Sequence, residues 1–512
     1  MSRARVSIHP MPPFPVPPTA DERTDGFLEG AAIAWTSGVR LRAGRVAIGG
    51  SPWALTVLPE SVRPFARDLH AAGRAGVVVR GDEQRAAALY LLDRGIADPL
   101  PAPAPADPES GASAVPGDVE IVIPVYRGVE EFARCLASVA PEGLPVIVVD
   151  DASPAPEAAE IARLCAEHGA RLIVHERNGG PGAARNTGFA ATTADFVAFI
   201  DSDVVASPGW VTRLRPVFDD PIVGAAGPRV RPDVVGDSAI ELYEETRSEL
   251  DMGPHPSRVV YGVPVGWLPT ASAMVRRAAV TEPPFEPGLR IGEDVDLFWR
   301  MDEAGWTVRY VTDVVNRHRV RTALRDFSSR RAGYGSSAAQ LEARHPNRLI
   351  PAQPTVAGLA LMAALSSRRP AAKWAALGIT GYELARHRRV LPPQVPAATV
   401  AEMTALSLWT DAFWVGHLLR RDWWPVGAAV LAATPRSRTA RVIAAAMAAE
   451  PVRDHLLSPT RLGPVRSLAL RMVDDASYGS GVIANAYRLR VPNVVSPRIR
   501  PSAWPREGHA PE

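Results

Sequence analysis

The chain has 512 residues, more than one hydrophobic core usually organises, so two or three domains are expected. Its 57 basic and 55 acidic residues nearly cancel, which argues against nucleic acid as a partner. The only two cysteines, Cys135 and Cys165, lie in apolar helical patterns without metal-site spacing, which indicates free thiols in a reducing, cytoplasmic compartment.

The first 117 residues are predicted to form a leader, a small module and a linker. Residues 1–22 are broken by prolines and lack the apolar run of a signal peptide, so we interpret them as a disordered leader. Residues 23–98 show a hairpin pattern around Gly44 and helical patterns at 60–72 and 82–94, typical of a small α+β winged-helix-like module. Residues 99–117 are rich in proline and alanine, which favours an extended linker.

The segment 118–345 alternates strand-like and helical patterns. Four short apolar runs occupy 119–126, 144–150, 171–175 and 195–200, with helical patterns at 130–140, 156–168 and 182–191. This alternation predicts an α/β domain with a mostly parallel, Rossmann-like sheet covered on both faces. Because ligands of such sheets bind beyond the carboxyl ends of the strands, the residues that follow each strand are candidate site residues.

The region 346–490 is predicted to be α-helical and apolar, followed by a tail at 491–512. Its longest continuous helical stretch without charge, 356–365, falls short of the ~20 residues that cross a bilayer. Five tryptophans lie in this region: Trp374, Trp409, Trp414, Trp423 and Trp424. We favour a soluble helical bundle with these tryptophans in its core, and peripheral contact with the inner face of the cell membrane is the alternative.

Two acidic motifs follow predicted strands. Asp150 and Asp151 close the second strand, where a carboxylate can bind a ribose or a uracil-like base, or can cap the next helix. The triplet Asp201-Ser202-Asp203 follows the fourth strand. In an extended Asp-x-Asp both carboxylates project to one side and would repel each other without a cation. The triplet therefore predicts a divalent cation, Mg or Mn, that neutralises the diphosphate of a nucleotide sugar.

A glycine-rich turn and a third acidic motif complete the pattern. The turn at 177–186 contains Gly180 and leads into a helix with Arg185 and Asn186 in its first turns, which allows close approach to a nucleotide. Glu293 and Asp294 open another predicted helix. A carboxylate beside a second carboxylate can act as the general base for a sugar hydroxyl, whereas the alternative is an acidic helix N-terminus stabilised by the helix dipole.

The order of these motifs resembles the inverting family-2 glycosyltransferases of GT-A fold, over residues 118–320. The resemblance implies that Asp203 and Asp201 bind the metal, with Asp201 on the nucleotide side, that Asp294 is the catalytic base and that Glu293 contacts the acceptor. His318 would complete the metal shell, unless it is a structural histidine. The implied nucleotide-sugar site comprises Pro124, Val125, Tyr126, Asp150, Asp151, Gly180, Arg185, Asn186, Asp201 and Ser202. The loop 262–272 would bind the acceptor through Trp267 and Ser272, although Trp267 could equally belong to the core.

The layout of the whole chain is similar to the mycofactocin-system glycosyltransferases, which add glucose units to a small redox cofactor made from a ribosomal peptide. This similarity implies a hexosyltransferase with UDP-glucose as the favoured donor and a peptide-derived small molecule as acceptor. The N-terminal module resembles domains that bind leader peptides, so a carrier or precursor peptide is an expected partner, with a packing domain as the alternative.

Three other functions remain open from the sequence. A membrane-associated family-2 transferase acting on a glycolipid or polysaccharide would explain the tryptophan-rich region. A scaffold that has lost catalysis would not need the acidic motifs, all of which are present. A nucleotidyltransferase usually carries a glycine- and lysine-bearing loop after the first strand, and residues 126–130 contain no lysine and a single glycine.

Overall fold

The computed structural model describes residues 14–18, 28–100, 117–263, 265–320, 322–458 and 460–501. The described residues within 9–235 and 247–320 form one compact unit, and those within 236–246 and 321–512 form another. The predicted leader 1–22 and linker 99–117 therefore lie mostly outside the described residues, as does half of the predicted tail 491–512.

The N-terminal part of the first unit is α+β. It contains the strands β1 Ala32–Trp35, β2 Arg40–Arg42, β3 Val46–Gly49, β4 Ala54–Val57, β5 Val77–Val78 and β6 Ala97–Pro99, and the helices α1 Arg63–Ala72 and α2 Gly81–Asp93. The predicted hairpin is formed by β2 and β3, and Gly44 in its turn has a φ of 62°. Ile33, Leu69 and Leu91 share one buried cluster, so the two helices cover the small sheets.

Within the predicted leader, residues 14–18 are described and Phe14 is buried. Phe14 belongs to the same apolar cluster as Leu297, and the indole nitrogen of Trp306 donates a hydrogen bond of 2.6 Å to the carbonyl of Pro15. At these residues the chain is packed, which differs from a disordered leader because an apolar ring and a backbone carbonyl both find partners.

The rest of the first unit is a mixed nine-stranded sheet with helices on both faces. Its strands are β7 Val119–Val125, β8 Val146–Asp150, β9 Arg171–Val174, β10 Phe196–Ile200, β11 Val204–Val205, β12 Val223–Asp233, β13 Ser257–Arg258, β14 Ser272–Arg276 and β15 Thr307–Arg319. Its helices are α3 Val129–Val139, α4 Ala155–Glu167, α5 Pro181–Ala191, α6 Trp210–Leu214 and α8 Glu293–Glu303. The intervening helix, α7 Ala239–Arg247, belongs to the second unit.

The strands are ordered β11-β15-β12-β14-β10-β7-β8-β9, with β13 paired to β15. The half β10-β7-β8-β9 is parallel throughout, whereas β14 runs antiparallel to both β10 and β12. The predicted α/β fold is confirmed, and the carboxyl ends of β7, β8 and β10 lie along one edge of the sheet.

Alternation along β7 explains why the sheet has two covered faces. Ile121 and Ile123 share a buried cluster with Phe132 of α3, whereas Val122 lies in the opposite cluster with Phe189 of α5. Successive side chains of a strand point to opposite faces, so a continuous apolar run requires helices on both sides.

The second unit is helical, as predicted for the C-terminal region. It contains α7 Ala239–Arg247, α9 Leu324–Arg344, α10 Val356–Ser366, α11 Pro370–Val390, α12 Ala397–Arg420, α13 Trp424–Ala433, α14 Arg438–Leu457 and α15 Pro464–Leu489. A Cβ added at Gly335 of α9 would collide with the carbonyl of Tyr478 on α15, and one at Gly481 would collide with the carbonyl of Ala332. This close packing places α9 in the helical unit, so the unit boundary lies near residue 320 rather than at the predicted 345.

The predicted helix 356–365 is observed as α10. Among the described residues, no helix combines the length and the apolar character needed to cross a bilayer. The interpretation of the tryptophans as core residues is wrong for four of them: Trp374, Trp409, Trp423 and Trp424 are 36–75% exposed.

Candidate active site

The triplet 201–203 follows β10 at the edge of the sheet where β7 and β8 also end. The amide of Asp201 donates to the carbonyl of Ala271 at 3.0 Å, and its carbonyl accepts from the amide of Val204 at 3.0 Å. These bonds turn the chain immediately after the strand, so the three side chains of the triplet lie at the strand end instead of within the sheet.

Arg185 connects the triplet to the third acidic motif. Its Nη2 lies 2.5 Å from Oδ1 of Asp201, and its Nη1 lies 2.8 Å from Oε1 of Glu293. The side chain is almost fully buried, and the two carboxylates compensate its charge. Gly182 makes room for this contact, because a Cβ there would lie 3.3 Å from Cγ of Glu293. Two motifs about ninety residues apart in sequence thus form one site.

Asp203 and His318 lie side by side. The strand β11 pairs antiparallel with β15 and places Val204 opposite His318, so Nε2 of His318 comes within 3.1 Å of Oδ2 of Asp203. The Asp203 side chain is 36% exposed, and a carboxylate with an imidazole at an open position is a donor set that suits Mn or Mg. The two side chains are therefore in contact, and their binding of a metal stays a prediction.

Asp201 does not join this pair as a third ligand. Across the described ranges, no group of three or more His, Cys, Asp or Glu side chains is arranged to hold a metal ion. The carboxylate of Asp201 is paired with Arg185 instead, which differs from its predicted part in the metal shell. A metal at Asp203 and His318 would therefore need oxygen ligands from a bound diphosphate and from water, as is common for Mg.

Asp294 occupies the first turn of α8. Gly292 precedes the helix with a φ of 84°, and Oδ1 of Asp294 accepts a hydrogen bond of 2.8 Å from the amide of Val295. Burial, reinforced by the charge of Glu293, raises the pKa of Asp294 to about 7, and Arg185 opposes this shift. The residue is not completely buried, so part of its surface is accessible. A carboxylate with this pKa is suited to accept a proton near neutral pH.

Glu293 is more deeply buried than Asp294. Burial raises its pKa, and the charge of Arg185 lowers it. Because one of its oxygens is bound to Arg185, Glu293 positions that arginine, and its predicted contact with the acceptor stays a prediction.

The pair Asp150-Asp151 closes β8 and divides its roles. Asp151 accepts hydrogen bonds from the amides of Gly179 at 2.9 Å and Gly180 at 2.7 Å, and its Oδ1 lies 2.8 Å from Nδ1 of His175. Gly180 has a φ of 90°, a conformation that favours glycine. The carboxylate of Asp151 therefore shapes the glycine turn. His175, which orients this carboxylate, follows no motif that could have identified it from the sequence.

Asp150 uses one of its two carboxylate oxygens in a hydrogen bond within the described part of the chain. Its Oδ1 accepts from the amide of Ser153 at 3.0 Å, whereas its buried Oδ2 has no hydrogen-bond partner within the described part of the chain. This oxygen keeps hydrogen-bonding capacity that Asp151 has already used, but Asp150 is fully buried, so its contact with a nucleoside stays a prediction. Val125 is buried at the end of β7, and the next side chain, Tyr126, is 46% exposed at the same edge.

Asn186 holds the segment that leads to α8. Its Nδ2 donates to the carbonyl of Phe285 at 2.8 Å, and its Oδ1 accepts from the amide of Phe285 at 2.9 Å. Both functional atoms of the amide are used, so Asn186 positions this segment, and its contact with a nucleotide sugar stays a prediction.

Arg290 was not among the sequence candidates. Its Nη2 donates to the side chain of Asn178 at 2.9 Å, and its Nε would lie 3.4 Å from a Cβ at Gly180. The exposed guanidinium thus lies against the glycine turn at the N-terminal end of α5, where an anion is favoured. Arginine is common throughout this sequence, so nothing had marked this one.

The two residues predicted to bind the acceptor, Trp267 and Ser272, differ in their exposure. Trp267 is partly exposed in a loop that is tied to α8, because the indole nitrogen of Trp299 donates to the carbonyl of Gly266 at 2.8 Å. Ser272 is fully buried in β14, and its hydroxyl accepts from Nδ2 of Asn316 at 2.8 Å. The prediction that Ser272 contacts an acceptor does not agree with this position, since no surface of the residue is accessible.

The chemistry of this edge is set by its charge. Three carboxylates, from Asp201, Glu293 and Asp294, act on the buried Arg185, and Asp203 adds a fourth carboxylate two residues after Asp201. Excess negative charge favours a divalent cation, and the cation in turn favours a diphosphate. The arrangement can hold a metal-bound leaving group at one end and a general base at the other.

Comparison with known proteins agrees with this chemistry. Residues 120–280 match the sequence model of glycosyl transferase family 2. The chain is 35% identical over 498 residues to a protein of Mycobacterium tuberculosis named pre-mycofactocin glycosyltransferase, an alignment that covers 94% of this chain and 100% of that protein. A Haloferax volcanii protein named glycosyltransferase AglE is 28% identical over 215 residues, which cover 40% of this chain and 67% of that protein.

Solved structures also show a likeness. A mannosyltransferase of Pyrobaculum calidifontis, in complex with GDP-Man and Mn2+, has a TM-score of 0.39 and 16% identity, with coverage of 72% of this chain and 87% of that one. The similarity to the mycobacterial protein extends along nearly the whole chain. It shows that the chain belongs to the family-2 glycosyltransferases.

Proposed function

We propose that the chain is an inverting, metal-dependent hexosyltransferase that moves glucose from UDP-glucose to a hydroxyl of a peptide-derived redox cofactor. The observation that carries this proposal is the contact of Arg185 with both Asp201 and Glu293, because it joins the candidate donor site to the candidate base. The name of the mycobacterial relative, which spans this chain, supports the choice of acceptor.

Asp203 and His318 would hold the divalent cation. Their donor atoms suit such an ion, because Oδ2 of Asp203 and Nε2 of His318 lie 3.1 Å apart at a partly exposed position and both atom types are ligands of Mn and Mg. When bound, the cation neutralises charge on the departing diphosphate. Arg185 would keep Asp201 oriented towards the nucleotide, and Arg290 would add positive charge beside the glycine turn.

Asp294 would accept the proton of the acceptor hydroxyl. As that proton moves to the carboxylate, the hydroxyl oxygen forms a bond to the anomeric carbon, and the bond from that carbon to the diphosphate oxygen breaks. UDP leaves with the bonding electrons, and the anomeric configuration inverts. The partly exposed Trp267 lies in the loop tied to α8, so its ring is available to stack on a sugar or on the acceptor.

A panel of nucleotide sugars tests the proposed donor. We expect UDP-glucose with Mn or Mg to give a mass increase of one hexose on pre-mycofactocin, and other sugars or GDP donors to give at least about tenfold less product, because a misfitting group costs ~1–3 kcal/mol. Mass spectrometry of the acceptor reads the result. Efficient transfer from another donor, with no product from UDP-glucose, would contradict the donor assignment.

The pH dependence of transfer is expected to follow Asp294. The acting form is the carboxylate, and the pKa of this group is raised to about 7, so kcat/KM should increase as the pH rises through about 7 and level off above it. Measurement of kcat/KM from pH 5.5 to 9, with UDP binding as the control, checks this. A rate that already levels off near pH 5 would contradict the role of a carboxylate with a raised pKa.

A further inference from the structure

The helical unit has an exposed apolar surface. The helices α10 and α13 consist almost entirely of apolar residues, yet the only buried residue in each is a glycine, Gly358 and Gly427. Val426 and Leu431 of α13 are 49% and 37% exposed. Helices that are apolar on all sides are normally buried, so the exposure of both to solvent is unusual.

The first half of α11 extends this surface. No residue from 370 to 382 is buried, and the only charged side chain in that span is Lys373. Trp374 and Leu377 are 75% and 63% exposed and lie three residues apart, on one side of the helix. The helix becomes anchored only further on, where Glu383 and His387 are buried.

The exposed charges between residues 356 and 441 all have one sign. Between residues 356 and 441 the sequence has eleven basic residues and four acidic ones. None of the four carboxylates is exposed: Glu383, Asp411 and Asp422 are buried and Glu402 is partly buried. Eight basic residues are exposed, namely Arg368, Arg369, Lys373, Arg388, Arg389, Arg436, Arg438 and Arg441.

The basic and apolar residues are brought together at one end of the helices. Nε of Arg438, at the start of α14, donates to the carbonyl of Leu365 near the end of α10 at 3.3 Å. The link between α10 and α11 is therefore adjacent to the link between α13 and α14. We call this region, residues 365–377 with 426–438, the apolar-basic face.

We propose that the apolar-basic face binds the surface of an anionic lipid bilayer. Exposed tryptophan and leucine would enter the boundary between headgroups and acyl chains, and the surrounding arginines and Lys373 would pair with lipid phosphates. The absence of exposed carboxylates across 356–441 is what selects an anionic lipid surface over an ordinary polar partner, since repulsion from phosphate is removed on this face.

Vesicle flotation with the full-length chain tests this inference. We expect binding to phosphatidylcholine vesicles that contain about a third phosphatidylglycerol, weak binding to phosphatidylcholine alone, and loss of binding in 0.5 M salt. The double variant W374E/L377E should bind the anionic vesicles at least about tenfold more weakly. Tyr487→Glu is the matched control, because this aromatic residue is 89% exposed on α15, outside the face, and should leave binding unchanged.

A charge-only variant guards against misfolding. K373E/R369E changes two exposed side chains and should also weaken anionic binding, while circular dichroism and transfer activity stay at the level of the unmodified chain. Equal binding to neutral and anionic vesicles, no binding to either, or unchanged binding of both double variants would overturn the proposal. So would a dimer that W374E/L377E dissociates without any vesicle binding, since the face would then be covered by a second copy of the chain.

Discussion

Replacing Asp294 with asparagine is expected to lower the transfer rate by about 10³-fold, within the 10²–10⁴ that a general base contributes. The asparagine keeps the size of the side chain and can still accept a hydrogen bond from the amide of Val295, but it cannot take a proton. The ion pair between Arg185 and Glu293 remains, so the donor side of the site should stay formed. Binding of UDP-glucose, measured by calorimetry, should change less than about threefold.

Glu303→Gln is the matched control for this variant. Glu303 is an exposed acid at the other end of α8, so its replacement removes one carboxylate from the same helix without touching the site. Transfer by this control should equal that of the unmodified chain. If Asp294→Asn retained full turnover, the assignment of the base would be wrong.

Replacing Asp203 with asparagine is expected to lower transfer by at least about 10²-fold, because one charged ligand of the cation is lost. The substitution should also raise the Mn concentration needed for half-maximal activity. His318→Gln should act in the same direction with a smaller effect, since the imidazole that lies 3.1 Å from this carboxylate oxygen would bring no negative charge to the proposed cation. Titration of activity with Mn, after treatment with a chelator, measures both.

Ser202→Ala is the control in the same triplet, and we expect its Mn requirement to be unchanged. If no concentration of Mn restored the activity of Asp203→Asn, the result would agree with loss of the metal site. Identical Mn curves for Asp203→Asn and the unmodified chain would show that the cation, if needed, binds elsewhere.

The parallel half of the sheet could be predicted because each of its strands is a continuous apolar run. The observed β7, β8, β9 and β10 begin within two residues of their predicted starts and end within one residue of their predicted ends. The other half could not be predicted in this way. β12 contains prolines and arginines, and β15 continues into polar residues up to Arg319, so neither shows a run or a clean alternation. These strands form because long-range pairing satisfies the hydrogen-bonding groups of their backbones: β12 pairs with β14, and β12 and β15 pair with each other.

The sequence predicted which residues belong to the candidate site better than it predicted the contacts between them. Position after a strand identified the acids, but it could not tell that Asp151 would bind the glycine turn while one oxygen of Asp150 finds no hydrogen-bond partner among the described residues. The register of β11 against β15, which brings His318 to Asp203, depends on a pairing across more than a hundred residues. Ser272 was assigned to a loop, whereas its pairing with Ile200 makes it part of the sheet.

The tryptophan-rich region shows a different limit. Composition alone allowed either a core or a membrane surface, and both uses need the same residue types. The exposure of Trp374 excludes a core position for this residue, and that exposure cannot be read from helical spacing.

The anomeric configuration of the product reports on the role of Asp294 as a base. If Asp294 activates the acceptor hydroxyl for a single displacement at the edge formed by Asp203, Arg185 and Glu293, transfer from UDP-α-glucose must invert the anomeric carbon. Proton NMR of the isolated glycoside should then show the large anomeric coupling of a β-glucoside. An α-glucoside as the first product would contradict the account, because retention requires a different role for this carboxylate.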